Sequence, residues 1–213
     1  MKVKICGLTN LDDALAALDA GADMLGFNFY PASPRYIQPQ CCTHLVNALR
    51  RRGVEAAMVG VFVNARASEM ITILNRCNLD LAQLSGDEPA ELLEQLSGWG
   101  FKALRPSGAA DLEDCLRQYT VRQTAPAWLV DAYRPGEYGG TGQTGDWALA
   151  AGLALRYPIL LAGGLRPENV AAAVQQVRPW GGDVASGVEC APGRKDPVRM
   201  REFVRAARQN EKE

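Results

Sequence analysis

Eight short apolar runs, each followed by a stretch with helical periodicity, divide this sequence into strand-then-helix units of about 20 to 30 residues. The strand segments are 2–6, 23–29, 55–63, 80–84, 101–104, 127–130, 158–162 and 183–187. Helical patterns fall at 11–20, 40–52 and 67–77, in a segment opened by Pro89, and at 109–120, 146–155, 167–177 and 197–208. Strands that are apolar on both faces and alternate with helices imply a parallel sheet covered by helices, because such a sheet is buried on both sides. Eight units fit closure into a single α/β domain over 1–213, a (β/α)8 TIM barrel. An open doubly wound sheet is the competing arrangement. It more usually has six or fewer strands, and the G-x-G-x-x-G turn that would follow strand one is absent.

With 213 residues, 47% of them hydrophobic, the chain can bury one substantial core, and it is slightly short of the roughly 250 residues usual for a barrel. A net charge of −1 and a pI near 6.0 supply no basic field for nucleic acid and no polybasic patch for a membrane surface, so a small-molecule partner is expected. Met1-Lys2-Val3-Lys4 leads straight into a strand, and charged residues cut every apolar run well short of the roughly 20 residues of a membrane span. A cytoplasmic protein, monomer or homodimer, is the expectation. The six cysteines form no C-x-x-C pair and there is one histidine, which leaves no Cys/His zinc set and points to free thiols in a reducing compartment.

If the barrel closes, the C-terminal ends of all strands share one mouth, and Cys6, Arg35, Gln83, Asp131, Gly163 and Ser186 converge there. The last two strands both stop at residues without bulk, Gly163-Gly164 and Ser186-Gly187. Backbone N–H groups can then approach and point at a ligand, a nest suited to phosphate; the alternative is that these glycines only serve turns. Cys6 is either a small packed hydrophobe or, opened by Gly7 beside it, a general base. An ordinary thiol, with pKa about 8.5, is already a few per cent thiolate at neutral pH. Asp131 follows four apolar residues and precedes a glycine-rich loop, so it either braces that loop or acts as an acid. At an ordinary pKa of about 3.9 it would be protonated roughly one time in a thousand at pH 7, so a working acid requires desolvation or a neighbouring anion. Arg35, in a loop with two prolines, is either solvated or a planar clamp for a carboxylate. His44 reads as a helix-face residue away from every strand end.

The order of motifs resembles the phosphoribosylanthranilate isomerase family of tryptophan biosynthesis over nearly the whole chain. Lys4-Ile5-Cys6-Gly7-Leu8-Thr9 is similar to its N-terminal signature, Phe29-Tyr30-Pro31-Ala32-Ser33-Pro34-Arg35-Tyr36 to its second loop, and Val59-Gly60-Val61-Phe62-Val63-Asn64 to its third strand. Gln83-Leu84-Ser85-Gly86-Asp87-Glu88, then Gly139-Gly140-Thr141-Gly142 with Asp146-Trp147, Leu161-Ala162-Gly163-Gly164-Leu165, and Ser186-Gly187-Val188-Glu189 with Pro192-Gly193 and Lys195-Asp196 follow in the family's order. The resemblance implies an Amadori rearrangement of N-(5-phosphoribosyl)anthranilate with no metal or cofactor. It implies Cys6 as base, Asp131 as acid, Arg35 on the anthranilate carboxylate, Gln83 lining the pocket, and backbone groups at Gly163, Gly164, Ser186 and Gly187 on the phosphate.

The sequence departs from the family pattern at three places. Ser85 stands where histidine is common, Asn28 lies in a strand usually apolar throughout, and Gly145 replaces a phenylalanine before Asp146-Trp147. Two other readings compete. One is the related isomerase of a ribosyl aminoimidazole compound in histidine synthesis, which normally uses carboxylates at two opposed strand ends where this chain has a thiol at the first. The other is a barrel that binds a phosphorylated ligand without chemistry.

Overall fold

A computed structural model describes residues 1–96, 98–131 and 146–209. The eight strands are β1 (Lys2–Cys6), β2 (Met24–Asn28), β3 (Ala57–Phe62), β4 (Leu81–Leu84), β5 (Gly100–Leu104), β6 (Trp128–Val130), β7 (Ile159–Leu161) and β8 (Gly181–Val184). They form a closed, all-parallel barrel in chain order, with β8 returning to pair with β1 through Lys2↔Gly181 and Ile5↔Val184. The helices are α1 (Leu11–Asp19), α2 (Pro39–Arg50), α3 (Ala67–Cys77), α4 (Glu91–Gln95), α5 (Ala109–Gln118), α6 (Trp147–Ala154), α7 (Val170–Val177) and α8 (Pro197–Ala207). The expected (β/α)8 barrel is therefore the fold, and the open doubly wound sheet is excluded.

The period of two along each strand sorts side chains to opposite faces. Met24, Val59, Leu81, Phe101, Leu129 and Leu160 fill the barrel interior. Val3, Ile5, Leu25, Met58 and their equivalents point outward into a larger layer beneath the helices. On β1 this alternation sends Lys4 and Cys6 inward, so an ammonium and a thiol share the interior face. Helix starts are fixed by side chains that accept the first free N–H groups, each worth about 1 kcal/mol. Asn10 Oδ1 accepts from Asp13, Asp146 Oδ1 from Ala148 and Leu149, and Asp196 Oδ1 from Val198 and Arg199.

Two local expectations need correction. The eighth strand starts at Gly181 and stops at Val184; Ser186–Val188 is a single 3-10 turn, followed by a small antiparallel pair, β9 (Glu189–Ala191) and β10 (Arg194–Lys195). Gly181 pairs with Lys2 and Leu160 in the sheet, and no side chain fits there: a Cβ would lie 2.8 Å from both Leu160 Cδ2 and Lys2 O. Pro89 does not occupy the first turn of α4 but the turn before it, where its carbonyl accepts from Leu92 N at 3.1 Å. Among the described residues, no helix is long and apolar enough to cross a membrane.

Candidate active site

The C-terminal mouth of the barrel gathers most of the residues singled out in the sequence. Asp131, directly after β6, receives its position from the sheet, since its N–H donates to Leu104 O at 2.9 Å. Together with Gly163, Gly164, Asp183 and Ser186 it lines one cavity. Gly163 and Gly164 have φ of +86° and +61°, consecutive left-handed residues that turn the backbone after β7 back on itself and that only glycine adopts without strain. Asn169 fixes this turn from both sides, accepting from Arg166 N–H at 2.9 Å and donating to Gly164 O at 3.0 Å. Gly187 is glycine for a different reason: a Cβ would fall 1.9 Å from Leu165 O, so the turns after β7 and β8 interlock at this residue.

Cys6 ends β1 with 8% of its surface exposed. The expectation that Gly7 opens access to the sulfur does not hold. Gly7 (φ +78°) is instead covered by the stem of Arg35, whose Cδ would be 2.5 Å from a Cβ at that position. The room for the sulfur comes from Gly26 on β2, its partner in the sheet. A Cβ on Gly26 would stand 2.8 Å from Cys6 Sγ and 3.0 Å from Lys4 Nζ, so thiol and ammonium close on the same point of the barrel wall. Lys4 is fully buried and paired with Asp183 at 2.7 Å. Burial opposes its charge, but Asp183 and Cys6 outweigh that and hold the ammonium above the usual lysine range. Burial pushes the Cys6 thiol up; Lys4 and, more weakly, Lys195 pull against it, while Asp183 adds to it.

Arg35 is ordered by a chain of short contacts that explains the polar residue in β2. Asn28 Oδ1 accepts from Tyr30 N–H at 2.8 Å, Asn28 Nδ2 donates to Ser33 Oγ at 3.2 Å, and Ser33 Oγ accepts from Arg35 N–H at 3.1 Å. The guanidinium is not solvated. Its Nε and Nη2 meet Glu189 Oε1 and Oε2, each at 2.8 Å, and Lys195 Nζ donates to the same Oε1 at 2.8 Å. Nη1 has no hydrogen-bond partner among the described residues. Burial disfavours the Glu189 charge, yet Arg35 and Lys195 together hold its carboxyl below the usual range.

Gln83 faces inward three strands round from β1, 5% exposed, and donates from Nε2 to Ser85 Oγ at 3.0 Å. Its Oε1 is buried without a hydrogen-bond partner among the described residues. Behind this strand, buried Lys102 bonds Glu88 Oε2 at 2.7 Å and Gly86 O at 2.5 Å, and Glu88 Oε1 accepts from the N–H groups of Asn64 and Gly86, both at 2.9 Å. This cluster holds the loop that follows Ser85. His44 is exposed on α2, as expected, and all six cysteines are free. Residues 132–145, with Gly139-Gly140-Thr141-Gly142 and Gly145, lie outside the described residues. No group of three or more His, Cys, Asp or Glu able to hold a metal ion occurs among the described residues.

Sequence reasoning thus named Cys6, Arg35, Gln83, Asp131 and the glycine turns, but gave no role to Lys4, Asp183, Glu189 or Lys195. A signal for Lys4 was present, since it shares the parity of Cys6 on an alternating strand. Nothing local marks Glu189 as the partner of a residue 154 positions away.

Residues 3–206 match the family model described as N-(5'-phosphoribosyl)anthranilate (PRA) isomerase. The N-(5'-phosphoribosyl)anthranilate isomerase of Pelobacter propionicus is 44% identical over 213 residues, covering 100% of this chain and 98% of the relative. The crystal structure of phosphoribosyl anthranilate isomerase from Thermotoga maritima is 37% identical, with a TM-score of 0.86 and coverage of 98% of this chain and 99% of the other. A phosphoribosyl anthranilate isomerase in complex with reduced 1-(o-carboxyphenylamino)-1-deoxyribulose 5-phosphate is 35% identical, with a TM-score of 0.82 and the same coverages. With its fold and its sequence in agreement with these proteins over almost their full length, the chain belongs to the N-(5'-phosphoribosyl)anthranilate isomerase family.

Proposed function

We propose that Cys6 and Asp131 are the base and the acid of the aldose–ketose isomerisation that this family performs in tryptophan biosynthesis. The substrate on this reading is N-(5-phosphoribosyl)anthranilate. The observation that carries it is the single cavity in which Asp131 stands beside Gly163, Gly164 and Ser186, with Cys6 joined to its wall through Lys4 and Asp183.

The chemistry follows in two proton transfers and a tautomerisation. Asp131, protonated, gives its proton to the ring oxygen of the ribosylamine as the bond between that oxygen and C1′ breaks, which leaves an iminium between C1′ and the anthranilate nitrogen. The Cys6 thiolate then takes the proton from C2′, and the electron pair of that bond moves to form the C1′–C2′ double bond of an enolamine, neutralising the nitrogen. Tautomerisation moves the C2′ hydroxyl proton to C1′ and gives the aminoketose. One proton has left Asp131 and one has reached Cys6, so exchange with solvent resets the pair before the next turnover. A positioned acid and base contribute about 10²–10⁴-fold each.

Binding is assigned to groups remote from the reacting carbons. Backbone groups at Gly163, Gly164, Ser186 and Gly187 take the phosphate, and Nη1 of Arg35 takes the anthranilate carboxylate, so the two ends of the substrate fix its middle. Gln83 Oε1 offers a buried acceptor to a sugar hydroxyl. The test is conversion of phosphoribosylanthranilate, followed by its fluorescence, in the parent protein and in Cys6→Ser. Conversion that falls a hundredfold or more in the variant supports the assignment, and near-normal conversion refutes it. Binding without conversion by the parent protein would favour a non-catalytic barrel.

A further inference from the structure

We propose that Lys4 is the counter-ion of the Cys6 thiolate, a positioning residue that makes the thiol usable as a base inside a site from which water is largely excluded. The inference rests on Cys6 acting as the base and deepens that reading. A thiol buried to this degree faces a large cost on ionising, since the charge has lost its hydration. A fixed cation close to the sulfur offsets that cost, and the barrel supplies one.

Lys4 is two residues before Cys6 on the same inward face, and its Nζ and the sulfur crowd the same point over Gly26, with 3.0 and 2.8 Å to a Cβ placed there. That point is kept open by a residue with no side chain. Asp183, 2.7 Å from Nζ, keeps the lysine charged at full burial and anchors it from the neighbouring strand β8. The arrangement is a buried triad of carboxylate, ammonium and thiol across two paired strands. Asp183 also lines the cavity with Asp131 and the glycine turns, so the triad runs from the proposed phosphate site to the proposed base.

The other charges that face Cys6 are accounted for. Lys195 on β10 and Arg35 in the loop after β2 also act on the sulfur, but both are committed to Glu189 on β9, at 2.8 Å each. Lys4 is the leading attraction on the thiol and Asp183 the leading repulsion. Their opposite signs give the proposal a signature that a merely structural ion pair lacks.

The test is the pH dependence of Cys6 alkylation by iodoacetamide, in which the thiolate displaces iodide. It is read by mass spectrometry of the peptide carrying Cys6, with exposed Cys41 as internal reference. In Lys4→Met the alkylation rate of Cys6 near neutral pH is expected to fall about tenfold or more, and its midpoint to move to higher pH. The double variant Lys4→Met/Asp183→Asn, which leaves no unpaired charge buried, moves up by less than Lys4→Met alone and carries the test if the single variant does not fold. The rising limb of kcat against pH follows the same order. Unmoved alkylation midpoints in both Lys4 variants overturn the proposal. Should alkylation shift while Cys6→Ser stays active and the kcat limb stays in place, the coupling stands and the assignment of Cys6 as base is what fails.

Discussion

Arg35 and Glu189, 154 positions apart, meet side on through two hydrogen bonds of 2.8 Å. The pair ties the loop after β2 to β9, the strand after the 3-10 turn. It leaves one edge of the guanidinium, Nη1, for a ligand. A lysine at this position could neither keep the two-point grip on Glu189 nor present a second planar edge. Arg35→Lys is therefore expected to raise KM for the isomerase substrate about 10- to 100-fold, the cost of one charge-assisted hydrogen bond, with a smaller change in kcat. Steady-state kinetics on the two proteins check this, and an unchanged KM would remove Arg35 from the carboxylate site.

The same pair sets a pH dependence of stability. The folded Glu189 carboxyl lies below its unfolded value of about 4.3, so its contribution is complete above that pH and is lost as pH falls through the folded value. Denaturant titrations between pH 7 and pH 3 are expected to show Glu189→Gln less stable than the parent at neutral pH. The gap narrows as acid protonates the parent's carboxyl. A gap that is constant with pH would mean that the charge of Glu189 contributes nothing.

Two glycines with opposite surroundings give paired predictions. At Gly187 a Cβ would lie 1.9 Å from a backbone oxygen, which cannot rotate away. Gly187→Ala must push the turns after β7 and β8 apart, at a cost of about 1–3 kcal/mol, and should weaken binding of inorganic phosphate at the proposed phosphate site. Gly152, exposed within α6, has nothing within 4 Å of its would-be Cβ. Gly152→Ala is expected to stabilise the protein by about 0.5–1 kcal/mol, because alanine loses less freedom in a helix. Thermal unfolding of the two variants checks both signs.

The course of the chain was legible because β/α units announce themselves locally. Apolar runs of strand length, with proline and glycine breaks between them, need no tertiary knowledge. Closure followed from counting the units. The errors share a cause, which is that glycine and charge have two meanings each. Gly181 falls outside the strand read from the sequence at 183–187, but is a strand residue at a site with no room for a side chain. Lys4 is a charged residue alternating with apolar ones on β1, yet it is fully buried, since in a closed barrel the inner face has no solvent until the mouth. The ionic partners of the site, Asp183 for Lys4 and Glu189 for Arg35, are set by closure of the barrel and by the hairpin of β9 and β10. Both are long-range relations that no local pattern encodes.

The support behind β4 provides the last test. Lys102 points outward from β5 into the apolar layer, 3% exposed, and its ammonium is bonded by Glu88 Oε2, Gly86 O and Leu84 O. Tyr119 covers it, with its ring centre 5.4 Å from Nζ and its hydroxyl donating to Glu88 O at 2.8 Å. Burial disfavours the Lys102 charge and lowers its proton affinity, so the pair is held by geometry against desolvation. Lys102→Met strands the Glu88 carboxylate and is expected to cost about 3–5 kcal/mol, whereas Lys102→Met/Glu88→Gln should cost less than the sum of the two single changes. Because Gly86 and Asn64 hang on Glu88, both single variants should also loosen the Ser85 loop and raise KM. Strict additivity of the two costs in urea titrations would show that the two charges are not coupled, and that the loop stands without them.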